Sequence, residues 1–285
     1  MKEVVVLSGK GGTGKTSIVA SFAVLAQSKV LADCDVDAAD LYLLLQPQIK
    51  EEKEFWSGQT AFIDKEICTE CGLCQDICHF GAIENYMVDQ ISCEGCGFCY
   101  QVCPVDAITM QESMSGHWFI SNTKYGYLSH ARLGIAQENS GKLVALVRQN
   151  AKLIAKKEVL DYIITDGPPG IGCPVISSLS GASLALLVTE PTLSGIHDLE
   201  RVIGVCRHFG IPVLVCINKY DINEENTHQI ENYCYKEGIE VAAKIPFDNV
   251  VTEAIIHGLP VVEYSEGEIT QEIGSLWQHI THALE

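Results

Sequence analysis

Val4-Val5-Val6-Leu7-Ser8-Gly9-Lys10-Gly11-Gly12-Thr13-Gly14-Lys15-Thr16 is the stretch that decides the fold. Its first five residues are a β-branched apolar run of strand length. Gly9–Thr16 then satisfies G-x4-G-K-[ST], and the apolar pattern continuing through Ser17–Ala26 is helical. A glycine-rich loop between a strand and a helix is the context that gives this motif its meaning. The loop amides and the helix N-terminus make an anion cradle. Lys15 is placed to reach the β- and γ-phosphates of a nucleotide, and the Thr16 hydroxyl to bind Mg²⁺. The candidate phosphate-binding residues are therefore Gly9, Lys10, Gly11, Gly12, Thr13, Gly14, Lys15, Thr16 and Ser17.

Working outward, Lys29–Ala32 reads as a second strand ending in acidic residues, Asp33-Cys34-Asp35. Later in the chain, Asp161–Thr165, Leu184–Thr189, Pro212–Asn218 and Glu240–Ile245 read as strands. Helical stretches at Leu143–Lys157, Ile196–Phe209 and Glu224–Glu237 lie among them. Strands alternating with helices predict an α/β fold, a mostly parallel P-loop sheet with helices on both faces.

Between about Phe62 and Met110 the grammar changes to short spacings of Cys and Gly. Eight of the 13 cysteines lie between Cys68 and Cys103. Cys68-x2-Cys71-x2-Cys74-x3-Cys78 is repeated about 25 residues later as Cys93-x2-Cys96-x2-Cys99-x3-Cys103. That run is the one bacterial ferredoxins use to hold cubane clusters, with the fourth cysteine of each run serving the other cluster. The spacing assigns Cys68, Cys71, Cys74 and Cys103 to one [4Fe-4S] cluster, and Cys93, Cys96, Cys99 and Cys78 to the second. Zinc also accepts CxxC pairs, but its modules separate the two pairs by a longer loop. Pro104 follows the last cysteine of the second run, whereas His79 follows Cys78. The expectation is a small inserted α+β ferredoxin-like domain over 60–112, interrupting an ATPase domain made of 1–59 and 113–285.

Lys10 inside the loop gives Lys-Gly-Gly-Thr-Gly-Lys-Thr, which resembles the deviant Walker A of the MinD/ParA/Mrp superfamily and, more distantly, the nitrogenase iron protein. The chain as a whole resembles MinD-like ATPases that carry an inserted ferredoxin domain. The resemblance implies ATP hydrolysis with Mg in a nucleotide-sandwich dimer, either a homodimer or a heterodimer with a paralogue. In such a dimer Lys10 would reach the partner's phosphates and act with Lys15 and Asp35 in catalysis. It implies that Asp35 orients the attacking water and that Thr16, Asp33 and Asp166 serve the Mg site. Asn218-Lys219-Tyr220-Asp221 resembles the NKxD of GTPases, and the superfamily places an adenine-contacting asparagine there. Pro246-Phe247-Asp248 resembles the second base loop, so Asn218, Lys219, Pro246 and Asp248 are candidate base-side residues. The superfamily match favours ATP; the NKxD-like segment by itself leaves GTP open. Asp37 and Asp40 read as a solvated loop face. Cys173 lies at an offset like that of the iron protein's cluster cysteine, but no second cysteine accompanies it and a structural thiol is the default. Cys34, Cys206, Cys216 and Cys234 read as core.

The formal charge of −18 argues against nucleic acid and anionic membranes as partners and favours a basic docking surface on a protein. The amphipathic Ile269–Leu284 has no lysine or arginine, so packing against the domain is the expectation. No apolar run approaches the roughly 20 residues that span a bilayer. The N-terminus reads as a strand rather than a signal peptide, and the chain is expected to be cytoplasmic. The functional expectation is an ATPase coupling its nucleotide state to electron transfer toward a redox or target protein. The alternatives are a metal or cluster carrier and a redox-sensing positional switch.

Overall fold

The computed structural model describes residues 1–134 and 140–285, which form two compact units. The first comprises Met1–Glu52, Trp118–Arg132 and Ser140–Glu285. In chain order its elements begin β1 (Lys2–Ser8), α1 (Lys15–Leu25), β2 (Lys29–Asp33) and α2 (Leu41–Leu45). β3 (Gln48–Ile63) then leads into the second unit, which runs from Lys53 to His117 and includes Leu133 and Gly134. That unit holds α3 (Leu73–Ile77), β4 (Ile83–Glu84), β5 (Met87–Val88) and α4 (Phe98–Val102). β6 (Ile108–Thr123) returns to the first unit, followed by β7 (Gly126–Leu133), α5 (Ser140–Lys157), β8 (Tyr162–Pro169) and α6 (Cys173–Leu179). The chain closes with β9 (Leu184–Thr189), α7 (Leu193–His208), β10 (Val213–Asn218), α8 (Glu224–Lys236), β11 (Glu240–Ile245), α9 (Val250–Ile256), α10 (Val261–Tyr264) and α11 (Glu268–Ala283).

The main sheet has the order β11-β10-β9-β1-β8-β2-β7-β6-β3 among the described residues. From β11 to β7 neighbouring strands run parallel. β1 sits at the centre of these seven parallel strands, and both of its faces are covered. Val4 and Val6 join α1 and the C-terminal helices, while Val5 and Leu7 join the α6–α8 side. That is why its sequence reads as an unbroken apolar run instead of an alternation. α11 packs Ile269, Ile273, Leu276, Trp277 and Ile280 into the first of these cores, as its charge pattern predicts. The parallel α/β expectation holds, and β9 and β11 fall on the expected residues.

β3, β6 and β7 are the departures. The sequence reading placed no strand over 48–59, 111–123 or 126–133. β3 is exposed along most of its length, so no alternation of apolar and polar residues marks it. β7 buries Ser129 and His130, polar residues that hydropathy does not flag. Ser129 Oγ donates to the carbonyl of Val147, and His130 Nε2 lies 2.9 Å from Ser121 Oγ while its ring stacks on Phe119. Burial, with a smaller push from Arg132, lowers the His130 pKa to about 4. A second buried polar group, Glu3, receives Arg148 Nε at 2.6 Å and Lys152 Nζ at 3.2 Å.

In the second unit the sequence repeat is also a backbone repeat. Glu70 and Gly95, Gly72 and Gly97, and Gly81 and Asp106 form three pairs, each 25 residues apart, and all six adopt positive φ. Each run thus turns at the same places and ends in the same short helix, α3 or α4, which pack against each other. Gly95 is irreplaceable on a further count: a Cβ there would lie 2.1 Å from the carbonyl oxygen of Gln59.

Candidate functional site

The loop after β1 turns at Gly12 and Gly14, both at positive φ, and delivers α1 with no side-chain cap. Its first amides are therefore free to meet an anion. A Cβ on Gly14 would lie 2.3 Å from Asn218 Nδ2, which donates to the Thr13 carbonyl at 2.8 Å. Two adjoining cavities open here. One, of about 520 Å³, is lined by Gly11–Ser17 with Ser8, Asp35, Ala38, Asp40 and Pro169. The other, of about 210 Å³, is lined by Gly12, Gly14, Ser17, Asn218, Lys219, Pro246, Phe247 and Asp248, with Ile18 and Ile255 among its apolar walls. One cavity suits phosphates and the other a flat base.

The acids stand where β2 and β8 end side by side, Asp33 paired with Asp166 in the parallel register. Lys15 Nζ is 2.6 Å from Asp166 and 3.7 Å from Asp35. Burial alone would lower the Lys15 pKa, but Asp166 and then Asp35 outweigh it and hold the ammonium above its ordinary value. Burial, and then repulsion from Asp166, drives Asp33 far above the carboxylate range. Burial also lifts Asp35 to about 6, with Lys15 opposing. Asp33 Oδ2 and Asp166 Oδ2 are buried without a hydrogen-bond partner. Two buried acid oxygens without partners, on groups whose charge burial disfavours, are a donor pair that a divalent cation carrying its own water would satisfy. Asp37 is exposed, as expected.

Lys10 is held within its own chain. Its Nζ contacts Glu190 at 2.7 Å and the hydroxyls of Thr192 and Ser194 at 3.1 Å. Glu190 also receives Lys219 Nζ at 3.1 Å, and the same ammonium donates to the Gly12 carbonyl. Burial would raise the Glu190 pKa, but the hydrogen bonds from the two lysines outweigh it and hold the carboxyl below its ordinary value. Sequence reasoning missed Glu190, Thr192 and Ser194; the only signal was an acid directly after the apolar strand Leu184–Thr189. Asp221 accepts the Phe247 N–H at 2.7 Å, which ties the NKxD-like turn to the second base loop. Asp248 accepts from Val250 N at the start of α9.

The eight clustered cysteines divide between two cavities of the second unit. Cys68, Cys71, Cys74 and Cys103 line one. Cys78, Cys93, Cys96 and Cys99 line the other. Apolar residues, including Ile63 and Ile108 in one and Ala61, Ile83 and Met110 in the other, complete the walls. Burial pushes the Cys74 and Cys99 thiols up. Among the described residues no three His, Cys, Asp or Glu side chains converge on a single metal ion. Four cysteines around an apolar hollow are a donor set of the kind that holds a cubane.

A family model for the CobQ/CobB/MinD/ParA nucleotide binding domain matches residues 4–261. The chain belongs to that family. It is a P-loop ATPase of the MinD/ParA type. An uncharacterized protein of Methanocaldococcus jannaschii is 32% identical over 98% of this chain and 96% of its own length. An iron-sulfur cluster carrier protein of Pyrococcus horikoshii is 27% identical over 44% of this chain and 46% of its own. Among solved structures, the cell division ATPase MinD of Pyrococcus furiosus superposes with a TM-score of 0.60 at 20% identity, covering 99% of both chains. The fold of the ATPase is thus shared with MinD.

Cys173 of the ATPase opens α6 and is exposed, with Gly141 packed against it. Cys34, Cys206, Cys216 and Cys234 are buried, as expected for core thiols. No helix among the described residues is long and apolar enough to cross a membrane.

Proposed function

We propose that this ATPase carries two [4Fe-4S] clusters in its second unit and that its nucleotide state governs electron transfer through them to a partner protein. The observation that carries the reading is the crossed partition of eight cysteines into two four-sulfur cavities, three from one run and the last from the other. Cys68, Cys71, Cys74 and Cys103 hold one cluster and Cys78, Cys93, Cys96 and Cys99 the second. Bound clusters supply one-electron storage.

On the nucleotide side, an entering phosphate takes Lys15 from Asp166. Thr16, Asp33 and Asp166 would hold Mg²⁺, whose charge would offset that of the phosphates. Asp35 orients the attacking water. Lys10 leaves Glu190 for the partner's phosphates when two copies, or this chain and a paralogue, close on the nucleotides. Its charge there acts as an arginine finger does elsewhere. Asn218, Lys219, Pro246 and Asp248 frame an adenine; the carboxylate that would read guanine, Asp221, is already committed to Phe247. In the chain the second unit lies between the Asp33–Asp35 loop and the Asp166 loop. Loop movement on hydrolysis therefore acts at both of its connections, and differential binding of ATP supplies the bias.

The test is anaerobic purification, dithionite reduction and EPR with and without Mg-ATP. Two interacting [4Fe-4S]⁺ signals that change on nucleotide addition are expected. Clusters indifferent to nucleotide would sink the coupling. The similarity to iron-sulfur cluster carriers favours one second reading, delivery of a cluster to an apoprotein. Iron that moves to an apo-acceptor during ATP turnover would establish it in place of electron transfer.

A further inference from the structure

We propose that the two clusters are unequal, the one held by Cys68, Cys71, Cys74 and Cys103 being reduced first. The inference rests on the cluster reading above and adds an order of electron uptake within it. Reduction adds one electron to a cubane, converting [4Fe-4S]²⁺ to [4Fe-4S]⁺, with an external reductant as the source and no proton transferred. Whatever stabilises the added negative charge raises the potential.

Solvent exposure does not separate the two sites. Cys71 and Cys96 are both exposed, Cys74 and Cys99 are both 8% exposed, and the remaining ligands are intermediate. Hydrogen bonds do separate them. Glu70 N–H donates to Cys68 Sγ at 3.4 Å, and Ala107 N–H to Cys103 Sγ at 3.2 Å. Both sulfurs belong to the first cavity. The repeat-equivalent donors would be Gly95 toward Cys93 and Ala82 toward Cys78, and neither bond forms among the described residues. Gly95 is instead pressed against Gln59 of β3.

Charge separates them in the same direction. The residue after the first cysteine is Thr69 in one run and Glu94 in the other, and each lines its own cavity. A carboxylate beside the second cubane opposes the incoming electron; a hydroxyl beside the first does not. The acids of the first run, Glu70 and Asp76, do not line the cavity, and Tyr86 covers the Glu70 backbone by donating to its carbonyl. His79 follows Cys78 but is exposed and lies outside the lining of the second cavity. Amide dipoles favour the first cluster and a fixed anion disfavours the second, so the two effects add.

The experiment is an EPR-monitored redox titration of anaerobically purified holoprotein, with iron measured on the same samples. Wild type is expected to reduce in two resolved one-electron steps. Glu94→Gln shifts the lower-potential step upward and leaves the upper one in place. Thr69→Glu shifts the upper step downward. Both positions are exposed, so neither change disturbs packing. A single unresolved wave in protein holding two cubanes' worth of iron would overturn the order while leaving the clusters standing. So would a Glu94→Gln variant whose upper step moves. Protein devoid of iron would overturn the cluster reading itself.

Discussion

Replacing Gly14 by alanine strains the nucleotide loop in two separable ways. Gly14 has φ 90° and ψ 8°, a left-handed conformation that costs a residue with a Cβ about 1–2 kcal/mol. The new methyl group would also lie 2.3 Å from Asn218 Nδ2. The amide has to swing away, losing its bond to the Thr13 carbonyl, worth about 1 kcal/mol. The free loop relaxes out of this shape and nucleotide binding must restore it, so the cost appears in affinity. A total of about 2–3 kcal/mol weakens Mg-ATP binding by roughly 30- to 150-fold. Asn218→Ala alone loses the same hydrogen bond, together with the amide's place beside the base, and weakens binding at least about fivefold. The decisive measurement is the double variant, titrated with a fluorescent ATP analogue. The Asn218 bond is already broken in Gly14→Ala, so adding Asn218→Ala should cost almost nothing more, leaving a coupling energy of about 1 kcal/mol. Strictly additive penalties would show that the two residues act independently and refute the reasoning.

Glu190→Gln removes the charge that parks Lys10 and Lys219, and ATP-dependent dimerisation measured by light scattering should strengthen several-fold; an unchanged or weaker dimer counts against the parked state. Arg148→Met strands the buried Glu3 carboxylate, leaving it the half-exposed Lys152 and a long 3.4 Å bond from the Thr165 hydroxyl, at a cost of about 3 kcal/mol. In calorimetry that corresponds to a Tm lower by about 6–12 °C, and an unchanged Tm would show that Glu3 is not dependent on its partner. The nucleotide-free protein should lose stability as pH rises between about 4 and 6. Asp35, lifted to about 6, keeps in that window a proton which the unfolded chain has released. The effect is smaller than the roughly 3 kcal/mol of a full two-unit shift, because Asp35 keeps some contact with solvent. Asp35→Asn should flatten the trend in urea titrations, and an unaltered slope would assign it to another group.

The parallel half of the sheet was legible because burial on both faces writes itself as runs such as Val4–Leu7 and Leu184–Val188, with turn chemistry at their ends. β3 was illegible for the opposite reason. Lys50-Glu51-Glu52-Lys53-Glu54 is exposed on the strand except at the half-buried Glu51, so its pairing with β6 leaves no apolar alternation to find. In the second unit, backbone pairing such as Asp64 N–H to the Ala107 carbonyl is what joins the flanks, and no side-chain pattern records it. The same division runs through the nucleotide site. Loop residues fixed by spacing, Gly9–Thr16, and acids fixed by strand ends, Asp33 and Asp166, fell where chain geometry requires. Glu190 did not announce itself, because one acid at a strand end says nothing about which ammonium it will meet.

The two cysteine runs show how far a repeat can be trusted. Its symmetry survives in the six positive-φ residues and in the crossed cavities, since both follow from ligand spacing and short-range turns. It breaks where each half meets something outside the repeat. Gly95 meets Gln59 of β3, while Glu70 stays clear and keeps its N–H on Cys68. A duplicated sequence therefore specifies two similar binding sites, but their surroundings differ, because one flanking ribbon cannot lie against both halves in the same way. In the proposed reading, the order of electron uptake is a property of those surroundings, of amides and one carboxylate rather than of the ligands. The proposed ligand assignment rests on spacing, while the proposed inequality of the clusters needs the fold.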